Sequence, residues 1–211
     1  MNRKWSGSVA GAWLILLSFS LLLLSCAKET PGNPEKTVKD YIKAVQKSDF
    51  KTIYRLNRVT ARQKMYIEKT KNGDIQKLLK ASFETHKAAY DTAEPGFFSG
   101  ALWSEKYYFP PTSTVSVGEA RDPYPAGDDP VNSEYEKGFT LFVPVKTFYT
   151  KSRDTPELDG RKLKEAVYDC VLGKIRYGRN VRIYSNDEHW FLSGCILDRS
   201  SVTFFLPKKP E

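Results

Sequence analysis

Apolar and polar positions divide the chain into three stretches with different periods. The first, Val9 to Leu24, is apolar at every position except Gly11, Ser18 and Ser20. The second runs from about residue 34 to 90 and has a helical period. Val38, Tyr41, Ile42 and Val45 fall at i, i+3, i+4 and i+7, which predicts one apolar helix face. Asn33 stands where an N-cap belongs and Pro34 suits the first helical position. Ser48 restarts a second helix, with Phe50, Ile53, Tyr54 and Asn57 along its face. Thr60-Ala61-Arg62-Gln63 reads as a capping box that opens a third helix. Asn72-Gly73 breaks that helix, and Ile75, Leu78, Leu79 and Phe83 define a fourth, running to about Tyr90.

The third stretch has a period of two. Phe139, Leu141, Val143 and Val145 alternate with Thr140, Phe142, Pro144 and Lys146, and Pro144 points to an edge or a bulge. Leu163 to Arg176 reads as a long strand, with Val167, Asp169 and Val171 on one side and Tyr168, Cys170 and Leu172 on the other. Asn180–Tyr184 and His189–Leu197 flank the turn Ser185-Asn186-Asp187-Glu188 as a hairpin, and Val202–Leu206 predicts a last strand. Between helices and strands, Phe97 to Pro111 is aromatic-rich without a period, and Arg121 to Pro130 carries three prolines and a glycine, a loop signal. Helices first and hairpin-connected strands later predict an α+β domain, an antiparallel sheet with helices on one face.

The first stretch is too short to span. Its 16 positions reach about 24 Å as a helix, against a hydrocarbon core of roughly 30 Å. Arg3 and Lys4 precede it, and small residues follow, so it reads as a secretory signal over residues 1–25. The exit Leu23-Leu24-Ser25-Cys26 resembles the lipobox of bacterial lipoproteins: a large aliphatic, a loosely specified residue, a small residue, then cysteine. The resemblance implies cleavage before Cys26 and a diacylglycerol thioether on its sulfur, for which only a thiol serves. It also implies, from Ala27 rather than Asp after the cysteine, an outer-membrane address facing the periplasm. The alternatives are an ordinary signal with a chance cysteine, or an uncleaved anchor. Residues 26–33, with Pro31, Gly32 and Asn33, form a tether. Residues 34–206 then form a single domain, and Pro207 to Glu211 a polar tail.

Removing 25 residues from 211 leaves 186, enough for one domain with a core. With 40% hydrophobic and 13% aromatic residues, the chain has a globular balance. The net charge is +8, and without Arg3 and Lys4 the remainder is near +6. Its basic residues are interleaved with acids, as in Lys36, Lys39, Asp40, Lys43, Lys47 and Asp49, the pattern of a solvated helix face. Such a surface suits anionic lipid head groups or cell-wall polymer. No nucleic-acid-binding motif is present, so nucleic acid is not an expected partner. With Cys26 assigned to lipid, Cys170 and Cys195 are an even pair in an oxidising compartment, expected to form a disulfide. The alternative is two buried free thiols.

The segment Pro34 to Phe50 resembles the opening of small secreted proteins of the nuclear transport factor 2-like, cystatin-like superfamily. Its marks are Pro34-Glu35, Val38, Tyr41-Ile42 and Asp49 before a second helix. Glu188-His189-Trp190-Phe191-Leu192 is similar to their late strand. The resemblance implies a curved sheet wrapped on helices, a cone with an apolar pocket, and makes residues 97–131 an insertion. Enzymes of that superfamily use Asp, Tyr and His residues inside the cone, and none of these maps onto this chain.

Candidate chemistry is sparse. His86 sits on a helix among polar residues and His189 at a strand start beside Asp187 and Glu188; both read as surface or turn histidines. No His-Cys or His-Glu spacing makes a metal site, and there is neither a Gly-x-Ser-x-Gly elbow nor a phosphate-cradling glycine loop. Asp40 and Tyr41 are adjacent on a helix and so point about 100° apart, Tyr41 to the core and Asp40 to the surface. No catalytic residue, metal or cofactor is assigned. The leading expectation is a lipid-anchored, non-enzymatic envelope domain that binds an envelope protein or a small apolar ligand. The rival is an isomerase, dehydratase or hydrolase using a cone pocket, and a third is an assembly accessory.

Overall fold

The computed structural model describes residues 32–70, 73–93, 103–122, 140–151, 155–175 and 189–206. All belong to one compact unit, Gly32–Glu211. The signal, Cys26 and most of the tether lie outside these residues. So do Phe97, Phe98, Phe139, the proline loop from 123 on, the strand Asn180–Tyr184 with its turn, and the tail. Among the described residues no helix is long and apolar enough to cross a membrane.

Among the described residues five helices come first: α1 (Pro34–Gln46), α2 (Phe50–Leu56), α3 (Arg58–Thr70), α4 (Ile75–Asp91) and the single turn α5 (Glu105–Tyr108). Five strands follow: β1 (Ser113–Val117), β2 (Thr140–Tyr149), β3 (Glu157–Leu158), β4 (Arg161–Gly173) and β5 (Phe191–Phe204). The fold is α+β. Among the described residues the named strands pair antiparallel, in the order β1-β2-β4-β5, with β3 a short hairpin partner at the start of β4.

The local chemistry of α1 is as its sequence implies. Asn33 Oδ1 accepts from the Lys36 amide at 2.8 Å, Pro34 occupies the first turn, and Val38, Tyr41, Ile42 and Val45 are buried. The chain then reverses through Ser48 at φ 55°, and Asp49 caps α2 by accepting from the Thr52 amide at 3.2 Å. Here the structure corrects the capping box. α3 starts at Arg58, and its cap is Asn57, three residues before Thr60; the Asn57 Oδ1 accepts from the Val59 amide at 2.9 Å and the Thr60 amide at 3.4 Å. Thr60 is already inside the helix, and its hydroxyl donates back to the carbonyls of Tyr54 and Asn57. Gln63 instead meets the His86 ring at 2.6 Å. A cap buried to 2% exposure offers no box pattern to read, because its partners are set by the close turn from α2 into α3.

On the sheet, one face is core. Val143, Val145, Thr147 and Tyr149 of β2 stand beside Ala166, Tyr168, Cys170 and Leu172 of β4, then Leu192, Cys195 and Leu197 of β5. The opposite face carries Val167 and Asp169, with Arg121 donating to both Asp169 oxygens at 2.8 and 2.9 Å. Pro144 lies in an interior strand rather than at an edge. Its missing N–H is tolerated because β1 has ended: Gly118 donates to the Pro144 carbonyl at 2.8 Å, and Arg121 then pairs with Phe142. Gly118 allows that approach, since a Cβ there would lie 2.9 Å from Pro144 Cγ.

Two expected strands near the C-terminus are one. β5 runs from Phe191 to Phe204, and residues 199–202 bulge opposite Ala166 alone. Asp198 shapes the bulge, accepting from the Ser200 amide at 2.9 Å and its hydroxyl at 2.7 Å. Such a side-chain turn interrupts the alternation that a strand needs to be read through.

Asn57→Ala should lower stability by about 1–2 kcal/mol in denaturant unfolding, because it uncaps α3 inside the core. Gln63→Ala should change it by less than about 0.5 kcal/mol. The reverse ranking would restore the capping box as the helix start.

Candidate functional site: a buried carboxyl at Cys195

The space between helices and sheet is filled with aromatic side chains. Phe50 touches Phe83, Tyr90 and Trp103 with ring centroids 5.2–5.7 Å apart. Tyr108 stacks on Tyr168 at 4.8 Å, and Phe109 meets the same ring edge-on at 5.4 Å. The Tyr149 hydroxyl lies 2.6 Å from that of Tyr168 and donates to the Tyr108 carbonyl at 2.9 Å. The aperiodic segment thus supplies core through Trp103, Tyr108 and Phe109, and then the edge strand β1. Sequence periodicity misses this, because a single helical turn and a five-residue strand are shorter than the patterns that reveal either.

Inside this packing lies one carboxyl group. Glu105, at the start of α5, is 4% exposed. It accepts from its own backbone N–H and from that of Cys195, while Oε2 has no partner among the described residues. Burial raises its pKa from 4.5 to about 7, against the pull of those two amides. Tyr41 of α1 faces it with a hydroxyl that is also unpartnered among these residues, and burial followed by the nearby Glu105 carboxylate pushes its pKa up. Asn57 faces the Tyr41 hydroxyl without reaching hydrogen-bond geometry, its Oδ1 being held by the α3 amides. Tyr90 of α4 is raised to about 12, chiefly by burial.

Cys195 explains why an acid sits here. Cys170 and Cys195 are directly opposed in register, with Cα atoms 4.0 Å apart and sulfurs 2.12 Å apart, at bonding distance. A close pair of this kind is the non-hydrogen-bonded type, so the Cys195 N–H points away from β4. Glu105 accepts that outward N–H, which a buried edge would otherwise leave unsatisfied. The carboxyl lies against the strand here: a Cβ on Gly194 would stand 3.4 Å from Oε1, in van der Waals contact.

Elsewhere the expectations settle as follows. Asp40 is half-buried and pairs with Lys36 at 2.5 Å, while Tyr41 is core. His86 is not simply on the surface: its ring packs on Tyr54 at 5.8 Å and Trp103 at 6.0 Å, and burial lowers its pKa. His189 stacks near Phe191 at 6.5 Å. Among the described residues no group of three or more His, Cys, Asp or Glu could hold a metal ion. A depression of about 500 Å³ opens between Asn33, Glu35, Lys36 and Lys39 and the end of β1, far in character from Glu105: it is shallow and carries both charge signs. Glu105 itself was missed in the sequence, where an acid between Ser104 and Lys106 looks solvent-bound. No protein-family model, curated protein or solved structure matches this chain.

The arrangement keeps the Glu105 carboxyl protonated in mildly acidic solution, where a carboxyl in water is ionised. A carboxyl whose folded pKa exceeds its unfolded value stabilises the fold fully below pH 4.5, and that contribution is lost as pH rises through about 7. Glu105→Gln keeps the acceptor oxygen and removes the titration. Relative to this variant, the native chain should lose about 3 kcal/mol of unfolding free energy between those two pH values. The difference between the two chains cancels His86, whose lowered pKa acts in the opposite sense. Equal pH profiles would place the Glu105 carboxyl in water.

The cysteines should add no alkyl groups under denaturing conditions without reductant. Replacing both with Ser should cost about 3 kcal/mol, as expected for opening a loop of 25 residues. Two alkyl groups added without reductant would show free thiols.

Proposed function

We propose that the chain is a lipid-anchored protein of the bacterial cell envelope, outer-membrane and periplasm-facing, whose α+β domain binds a protein partner without catalysing a reaction. The observation that carries the reading is the filled interior. Tyr41, Trp103, Tyr108 and Phe109 occupy the place where a cone of this class would hold a small apolar ligand. Recognition then falls to the surface, which favours an envelope protein over a small molecule. Ile196 is 54% exposed on the outer face of the sheet, opposite Asp169, and the same face carries half-buried Phe142, Pro144, Phe148 and Val167. A face that mixes apolar side chains with ion pairs suits a protein contact. The address rests on Leu23-Leu24-Ser25-Cys26 and is supported by the paired cysteines, which belong to an oxidising compartment.

A second reading, an enzyme of isomerase, dehydratase or hydrolase type, has one specific support. Glu105, Tyr41 and Tyr90 converge, and a carboxyl poised near neutral pH is what acid–base chemistry uses. That reading requires a path to Glu105, and the side chains around it are core.

Two measurements test the proposal. Mass spectrometry of the mature N-terminal peptide should find lipid on Cys26, and Cys26→Ala should abolish membrane sedimentation; an unlipidated protein that still sediments would contradict it. A photo-crosslinker at Ile196 should join the protein to a discrete envelope protein in cells, with no such product from a site on the exposed side of α4. The absence of any product at Ile196 would remove that face as the contact.

A further inference from the structure

The helix that follows the tether carries an unusual polar face. Lys36, Lys39, Lys43 and Lys47 are all exposed, and all lie at or beside α1. At 100° per residue they fall within an arc of about 80°, opposite the buried stripe of Val38, Tyr41, Ile42 and Val45. They form a line about 17 Å long, from the first turn of α1 to its C-cap Lys47. Lys36 is compensated by Asp40 at 2.5 Å. Among the described residues Lys39, Lys43 and Lys47 have no carboxylate within 4.0 Å.

We propose that this lysine stripe rests on the anionic headgroups of the membrane that holds Cys26. The inference builds on the lipid-anchored reading above. Eight peptide steps separate Cys26 from Pro34. Fully extended they reach about 28 Å, which lets α1, the first element after the tether, reach the bilayer surface. Four ammonium groups on that element enter the region, within about 10 Å of the headgroups, where their attraction survives screening at cellular salt. Lysine suits this contact: it is a point charge on a long stem that reaches phosphates without a fixed geometry. A stripe along a helix also lays the domain down with α1 parallel to the membrane, which turns the sheet away from it. Cell-wall polymer offers the same charge, but nothing ties it to the end of the helix at the tether.

The test uses the mature protein purified from membranes and returned to vesicles of phosphatidylcholine alone or mixed with phosphatidylglycerol. Amine labelling is followed by mass spectrometry, residue by residue. Lys39, Lys43 and Lys47 should label about threefold or more slowly on the anionic vesicles, with the rate restored in high salt. Lys77 and Lys80 on α4 should label equally on both. Equal labelling of the stripe on both vesicles, with lipid mass present on Cys26, would overturn the headgroup contact and leave the anchor standing. Absence of lipid mass would overturn the anchor and the contact together. Protection by added anionic wall polymer but not by phosphatidylglycerol would overturn the contact in favour of the wall.

Discussion

Two demands meet at Cys195, and the rest of the domain is arranged to satisfy both. Its side chain joins β5 to β4 on the core face, and its outward N–H, at the edge of the sheet, must find an acceptor without water. Glu105 supplies that acceptor. An uncharged acceptor would do so without the penalty of burying an acid; with the carboxyl that penalty is absent below pH 4.5 and grows as pH rises toward 7. The consequence spreads outward. The turn that presents Glu105 begins at Trp103, in a positive-φ conformation of 77°, and places Trp103, Tyr108 and Phe109 in the core between α1, α4 and the sheet. The aromatic filling of the fold and the buried acid are thus one construction.

That construction was the least legible part of the sequence. α1 could be read almost completely, because a cap, a first-turn proline and four apolar residues at helical spacing agree with one another. β2 and β4 were legible for the same reason: long strands with one buried face alternate faithfully. Asn57 and Glu105 were not, since each is a polar residue whose partners come from elements distant in the chain. A side chain that satisfies a backbone group across the fold leaves no periodic trace. The pairing of Cys170 with Cys195 was legible from counting and compartment alone, while their direct opposition depended on a register set by the bulge around Gly194.

The aromatic packing between helices and sheet among the described residues also turns the functional question from cavity to surface. Two faces of the domain differ in kind. The outer sheet face combines apolar side chains with the Arg121–Asp169 and Lys146–Glu165 pairs, the mixture expected where another protein docks. The α1 face is a row of cations beside the tether. Under the proposed anchor these roles would be complementary: one face would fix the orientation at the membrane, and the other would be presented away from it.

The central claim is that the domain is built around a carboxyl buried against the Cys195 amide, and its titration tests this most directly. Carbon-13 NMR of the Glu105 side-chain carboxyl should give a midpoint near 7 in the oxidised protein. A midpoint near 4.5, the ordinary value, would put that carboxyl in water and contradict the account.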